Sequence, residues 1–303
     1  MMSANQHAPI PLWQANEHAP LQAVVMCLAN PFDADPAALA REAAADPVLQ
    51  HQAAHNRFRP YDVALVHHEQ TQFIAALRTR GIEVLMAEPI GDCISQHYPR
   101  DIGFVIDDLF VCARPRRPYR QRELAGLRAL LPRLPRVLTL DAGCIEGGDV
   151  FVHGDEVIVG LGEETDQAGV AALAQALEVA GNPRTVTALP LAERGVIHTD
   201  TKFNIIGPQL AICHPPAFAP ASLAWLESRF DLIPATAEET LALEINTLVI
   251  GEAEVVMSSS GRRLAEAVAR RGLCPVLIDY DEVNALPGSF RCTTLPLRRA
   301  GKS

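Results

Sequence analysis

The chain has 303 residues, of which 49% are apolar and 20% charged, with a formal net charge of −10. That size and apolar fraction suffice for one large domain or two modest ones and exclude a disordered chain. The acidic balance excludes the concentrated basic face that a nucleic-acid partner needs, and no stretch nears the roughly 18 uninterrupted apolar residues of a membrane span. Residues 1–20 are polar and contain proline, without the basic start and apolar core of a secretory signal, and read as an N-terminal extension. The seven cysteines form no C-x-x-C pair and are odd in number, which fits a reduced, cytoplasmic protein.

Leu21–Cys27 reads as a strand, Tyr61–Arg80 as a helix and Glu83–Ala87 as a second strand. A pattern of strand, turn, strand, helix and strand then occurs four times. Its first copy runs Ile102–Ile106, a turn at Asp107-Asp108, Leu109–Ala113, a helix near Arg120–Leu131 and Val137–Leu140. The second runs Asp149–His153, a turn at Gly154-Asp155, Val157–Gly160, a helix over Asp166–Val179 and Thr185–Leu189. Lys202–Ile206, Leu210–Cys213, Pro220–Phe230 and Leu232–Pro234 make the third, with a turn at Gly207-Pro208. Thr247–Ile250, Glu254–Met257, Gly261–Arg271 and Val276–Asp279 make the fourth, with a turn at Gly251-Glu252. Each hairpin has a Gly- or Asp-type turn and each helix has 3.6-period apolar spacing, as in Ala171, Leu173 and Leu177.

Copies recur every ~45 residues, a period that signals internal repeats. The strand at Cys292–Leu297 is predicted to pair with Ala23–Met26, which makes the remainder a fifth unit and closes a ring. A unit with one apolar helix face cannot bury it alone, whereas five in a circle bury all five faces. An open α/β sheet is the alternative, and the hairpins are too short for its parallel crossovers. The expected fold is therefore α/β, a single domain over residues 1–303 built of five ββαβ units with pseudo-fivefold symmetry.

The chemistry-bearing residues fall at the joints between units. Asp101 precedes the first hairpin, Glu146 the second, His198 and Asp200 the third, and Asn246 the fourth; Cys292 stands where the fifth begins. In a closed ring these joints converge at one end of the axis and line a common pocket. A cysteine, a histidine and several carboxylates at strand ends are the parts for a thiolate attacking a positively charged carbon. Cys144, beside Glu146, is the competing cysteine. No His/Cys cluster has metal-ligand spacing, so neither a metal nor a cofactor is expected.

Four motifs in order, Arg100-Asp101, Glu146-Gly147-Gly148-Asp149, His198-Thr199-Asp200 with Phe203, and Arg291-Cys292-Thr293, resemble the guanidino-group-modifying superfamily. The resemblance spans about residues 20–298 and implies a five-bladed α/β propeller, the pentein fold. Its members include arginine deiminase, dimethylarginine dimethylaminohydrolase, agmatine deiminase and the amidinotransferases. The length, and the stretch from Glu146 to Leu177, most resemble the short dimethylarginine dimethylaminohydrolase form.

The resemblance implies Cys292 as nucleophile, His198 as general acid and then base, and Glu146 as the carboxylate that orients His198. Asp101 and Asp200 would grip the substrate guanidinium, and this H-x-D is the deiminase form, which suggests an unmethylated or singly substituted guanidine. Asp149 reads equally as a hairpin cap or a site residue. Arg114 resembles an arginine that binds the substrate α-carboxylate, or else is a solvated charge among Arg116, Arg117, Arg120 and Arg122. A second such arginine is expected where this chain has Glu164, which would face a cationic amine or solvent, unless Arg116 or Arg117 replaces the missing cation; free arginine and dimethylarginine are therefore expected to be poor substrates. Ser289 stands where the family often has glycine.

The implied activity is hydrolysis of a guanidine C–N bond in an arginine-like or other guanidino compound, through a covalent amidino-thioether on Cys292. The alternative is an amidinotransferase, in which an amine replaces water, and a non-catalytic binding protein of the same fold is the third reading. The expected partner is a small guanidino substrate, with no nucleic acid and no membrane; the resemblance also admits a homodimer.

Overall fold

A computed structural model of the chain describes residues 8–30, 36–91 and 93–301; residues 1–7 of the N-terminal extension fall outside the described residues. The elements in chain order are β1 (Leu21–Met26), α1 (Pro36–Ala44), α2 (Pro47–His55), α3 (Val63–Arg78), β2 (Glu83–Met86), β3 (Gly103–Ile106), β4 (Leu109–Cys112), α4 (Pro118–Glu123) and β5 (Val137–Thr139). There follow β6 (Val150–His153), β7 (Glu156–Leu161), α5 (Gln167–Val179), β8 (Thr185–Pro190), β9 (Phe203–Gly207), β10 (Leu210–Cys213), α6 (Pro220–Glu227), β11 (Asp231–Pro234) and α7 (Ala237–Leu241). The last are β12 (Leu248–Val249), β13 (Glu254–Ser258), α8 (Arg262–Arg270), β14 (Cys274–Ile278) and β15 (Leu295–Arg299).

The strands form five three-stranded sheets on one plan. In four of them a tight antiparallel hairpin is followed by a helix, and the third strand returns parallel to the hairpin's second strand. The remaining sheet joins the two ends of the chain. β15 runs antiparallel to β1, with Val24 opposite Pro296 and Val25 opposite Leu295, and β2 runs parallel to β1. β15 thus takes the part of a first hairpin strand, beginning three residues later than the sequence predicts. Asp107 (φ 51°) and Gly154 (φ 62°) supply the left-handed residue in the two-residue turns of β3–β4 and β6–β7.

The hairpin strands are mostly apolar because both their faces are buried, whereas the third strand of each sheet is partly exposed. Val24 and Met26 pack with Leu248 and Val256, whereas Ala23 and Val25 pack with Val105, Phe110 and Leu297. Phe104 and Ile106 meet Val150 and Val152; Phe151 and Ile158 meet Phe203 and Ile205; Ile206 and Ile212 meet Val249 and Val255. Each sheet therefore shares one apolar cluster with the sheet before it and one with the sheet after it, and the sheet of β12–β14 shares the last with β1 and β2. On α5 the stripe Val170, Leu173 and Leu177 covers β6 and β7, and the Asp166 carboxylate caps the helix by accepting from Gly169 N at 2.8 Å.

Besides the short α7, which lies between the third and fourth predicted units, two regions differ from expectation. The helix predicted near Arg120–Leu131 is one α-helical turn and a half, α4, followed by 3-10 turns at Leu124–Leu127 and Leu131–Arg133. Gly126 O is bonded to Glu88 N at 2.9 Å rather than to a later turn of its own helix, and Pro132 has no N–H to give. Between β1 and α3, where no element was expected, lie α1 and α2; Asp46 caps α2 through Val48 N and Leu49 N, with Pro47 at its first position. All seven cysteines are thiols. Among the described residues no helix is long and apolar enough to cross a membrane.

Candidate active site

Short turns at the joints carry the polar residues. Asp101 lies in a 3-10 turn, Pro99–Ile102, just before β3; Glu146 precedes another, Gly147–Asp149, before β6; and His198 precedes Thr199–Thr201, before β9. The turns interlock because the glycines leave no side chain between them. A Cβ on Gly147 would lie 2.1 Å from Arg100 O, and one on Gly148 would lie 2.6 Å from His198 Cγ and 2.8 Å from Asp101 Oδ1.

His198 stands between two carboxylates. Its Nε2 is 3.0 Å from Glu146 Oε2 and its Nδ1 is 3.5 Å from Asp101 Oδ1. Burial opposes charging of the ring, but Asp101 and Glu146 outweigh it and raise its pKa well above the ordinary range, which favours the imidazolium form. Arg120 completes the cluster: Nη2 is 3.1 Å from Asp101 Oδ2, Nε 3.0 Å from Glu123 Oε2 and Nη1 4.0 Å from Glu146 Oε2. Ligand-type atoms of Asp101, Glu146 and His198 lie within 4.8 Å of one another, a spacing that suits a cation. Arg120 already supplies that cation from the chain itself, and a metal ion there would face its charge at close range.

Cys292 is 2% exposed. Its thiol points at Asp200, 3.7 Å from Oδ1 and 3.6 Å from Oδ2, and Asn246 Nδ2 donates to Sγ at 3.2 Å. Burial first, then the charges of Asp200 and Asp101, push this thiol well above the usual cysteine range. Arg291 holds Asp200 from behind at 2.9 Å, donates to Val150 O at 2.7 Å and lies 4.2 Å over the Phe151 ring. Asn246 Oδ1 accepts from the backbone N–H groups of Ser289, Arg291 and Cys292 at 3.2, 3.0 and 3.1 Å. The two halves are tied by Arg100 N, which donates to Cys292 O at 3.2 Å.

Asp149 is a brace. Its Oδ1 accepts from Thr199 N and Oγ1 at 2.8 and 2.7 Å, and its Oδ2 from Thr165 Oγ1 at 2.7 Å. It thereby fixes the neighbours of both His198 and Glu164.

A cavity reaches this cluster. Its lining includes the contact group Asp101, Glu146 and His198, the contact group Gln52, Arg117 and Glu164, and the side chains of Leu49, Phe58, Tyr98 and Leu286. Cys292 and Asp200 are not in its lining. Glu164, 1% exposed, is bound by Arg117 and by Gln52 Nε2 at 2.7 Å. Arg114, expected as the carboxylate-binding cation, is not brought to this cavity. Its Nη1 donates to Gly143 O at 3.2 Å, and it lines a separate cleft with Ile102, Pro115 and Gln121. Backbone bonds in both directions between Arg114 and Ile145 hold it there.

Sequence reasoning named Arg117 and Arg120 only among the arginines crowded around Arg114, passed over Gln52, and gave Asn246 a position but no role. Only Arg120 carried a local signal, its i, i+3 partner Glu123.

The family model described as "Arginine deiminase" matches residues 96–228. An uncharacterised protein of Bacillus subtilis, YkgA, is 32% identical over 240 residues, which cover 78% of this chain and 82% of its own. A dimethylarginine dimethylaminohydrolase of Streptomyces coelicolor is 30% identical over 239 residues, 78% of this chain and 88% of its own. Among solved structures, SxtG, an amidinotransferase of the saxitoxin pathway from Microseira wollei, superposes with a TM-score of 0.80 at 19% identity, over 97% of this chain and 98% of its own.

Proposed function

This chain belongs to the guanidino-group-modifying pentein superfamily, and from that membership we propose that it is a cysteine-dependent hydrolase of a guanidine C–N bond. The observation that carries the reading is the pairing of a buried thiol facing Asp200 with an imidazolium held between Asp101 and Glu146. One group is a nucleophile waiting for a positive charge; the other is an acid poised to protonate a leaving amine.

In this mechanism the substrate guanidinium enters between Asp101 and Asp200, whose carboxylates accept its N–H groups. Its charge offsets the burial and the anions that raise the Cys292 pKa, and the thiol proton leaves to solvent. The thiolate adds to the guanidinium carbon. His198 gives its proton to the departing amine as the C–N bond breaks, leaving an amidino-thioether on Cys292. The now neutral His198 takes a proton from water, which adds to the same carbon. Collapse expels the thiolate and yields a ureido product. Asn246 holds the nucleophile's loop, and Arg291 holds Asp200.

Hydrolysis is favoured over amidino transfer because the named hydrolase aligns at 30% identity along 88% of its length, whereas a glycine amidinotransferase of Gallus gallus aligns at 24% along 39% of its own. In the same reading the five sheets are blades of one propeller domain, supported by the apolar clusters shared in circular order. The test is a guanidine panel followed for ammonia, alkylamine and ureido product, with intact-mass analysis after a rapid quench. An amidino adduct on Cys292 is expected, along with release of ureido product without an added amine. Turnover without any adduct would refute the covalent route, and product formation only with an acceptor amine would assign a transferase.

A further inference from the structure

We infer that the substrate cavity is built for a guanidine whose far end is a protonated amine received by Glu164, and not for the α-carboxylate of an amino acid. The inference rests on the hydrolase reading of the site and concerns the part of the cavity away from the His198 cluster.

A tail carboxylate needs a cation that is not already paired with a carboxylate. Two arginines line the cavity, and both are so paired. Each of the three nitrogens of Arg117 is engaged: Nε with Asp46 Oδ2 at 2.9 Å, Nη2 with Gln52 Oε1 at 3.1 Å and Nη1 with Glu164 Oε1. Arg120 is committed to Asp101 and Glu123. An incoming carboxylate would have to share one of these guanidiniums with the carboxylates that already hold it, and the like charges would repel in a dry site.

A cation finds the opposite situation. Glu164 and Asp46 are two carboxylates sharing one guanidinium, Arg117, so this corner carries one uncompensated negative charge. Glu164 Oε1 takes Arg117 and Gln52, while its Oε2 is buried with no hydrogen-bond partner among the described residues. A buried acceptor in a cavity wall calls for a donor. Two further cavity carboxylate oxygens, Asp101 Oδ1 and Glu146 Oε1, are also without hydrogen-bond donors. The unmet acceptors thus belong to two contact groups, the His198 cluster and Glu164 with Arg117 and Gln52, and the apolar Leu49, Phe58 and Leu286 line the same cavity. That is the complement of a molecule with a guanidinium at one end, an alkyl middle and an ammonium at the other.

The experiment compares kcat/KM for guanidinobutylamine, guanidinobutanol, guanidinobutanoate, butylguanidine and L-arginine on the wild type and on Glu164→Gln, with Glu164→Asp as a second variant should the first fail to fold. The wild type is expected to favour the amine over butylguanidine by about tenfold or more, the scale of one partly buried charge contact, and to take guanidinobutanoate and arginine last. Glu164→Gln should collapse the amine-to-butylguanidine ratio to near one; Glu164→Asp, with its shorter reach, should lower it. Equal turnover of the amine and the alcohol, preference for either acid, or an unchanged ratio in the folded variant overturns the inference. Labelling of Cys292 by chloroacetamidine, which has no tail, is run alongside. If it labels Cys292 while the tail preference is absent, the tail inference alone fails; if it does not label, the hydrolase reading fails with it.

Discussion

The side-chain amide of Asn246 holds Cys292 at two points, accepting from its backbone N–H at 3.1 Å and donating to its sulfur at 3.2 Å. The same oxygen also takes the N–H groups of Ser289 and Arg291, so one side chain shapes the whole nucleophile loop. Asn246→Ala would leave the Ser289 and Cys292 N–H groups unmet, each worth ~1–3 kcal/mol, and Arg291 N–H with only the backbone oxygen of residue 246 at 3.4 Å. The loss of stability is expected to reach several kcal/mol on that scale, with slower amidine labelling of Cys292. Asn246→Asp keeps the acceptor but replaces the donor to sulfur with an anion. It should retain much of the stability while labelling still more slowly. Urea unfolding alongside labelling kinetics separates the two; an Asp variant that labels as fast as wild type rejects the role.

The thiol is raised by burial, Asp200 and Asp101, which makes its ionisation depend on what it meets. An uncharged alkylating agent should therefore react with Cys292 slowly at neutral pH and faster only in alkaline solution. A cationic amidine agent should react faster at neutral pH, with its rate profile displaced to lower pH. Profiles that coincide for the two reagents would remove substrate-assisted ionisation from the mechanism.

Replacement of the cysteines gives a direct contrast. Cys292→Ser should abolish turnover without unfolding the protein. Cys144 is half-buried and its own pKa is raised by burial and Asp166, while its backbone N–H is bonded to the Asp166 cap. Cys144→Ser should stay active to within a few-fold. The opposite result, activity lost only at residue 144, would reassign the nucleophile.

Burial lifts the Asp149 carboxyl to about 6, against its three donors and the His198 charge. The folded protein therefore holds this proton more tightly than the unfolded chain, and the stabilisation from it is complete below the ordinary carboxylate pKa and lost as pH rises through about 6. Asp149→Asn, which keeps the shape and cannot titrate, should flatten the pH dependence of unfolding free energy between about 4 and 6. Denaturant melts across that window test it; identical slopes in the two proteins reject the assignment.

Arg120 touches Asp101 and Glu123 and lies within reach of Glu146. Arg120→Met would leave buried carboxylates without their counter-charge, and a loss of ~3–5 kcal/mol is expected. A melting temperature unchanged from wild type would contradict it.

The repeating hairpins are legible in the sequence because each has a short Gly- or Asp-containing turn and an apolar run on both sides. The α1–α2 insertion was readable in part, since Asp46-Pro47 is a helix-start signal. The role of Gln52 was not, because it depends on Glu164, more than a hundred residues away in the chain. The crowded arginines from Arg114 to Arg122 show the same limit. Which of them faces the cavity is set by the start of α4 at Pro118, which buries Arg120 and Glu123, and by the bonds to Ile145 that hold Arg114 in another cleft. The positions of Asp101, Glu146, His198, Asp200 and Cys292 followed from the joints between repeats, where the backbone turns and side chains are free to point out of the sheets.

The sheet that joins β15 to β1 has a consequence for the order of synthesis. A ribosome delivers β1 first and its antiparallel partner last, after four complete units. Until then β1 offers an open edge, and the turn bearing Asp101 lacks Cys292 O as the acceptor for Arg100 N. A nascent chain that stops before Cys292 holds every carboxylate and the histidine of the site but not the thiol that faces Asp200. Under the proposed mechanism, premature products of translation would therefore be chemically silent, and the thiol would arrive only when the fold that buries it can be finished.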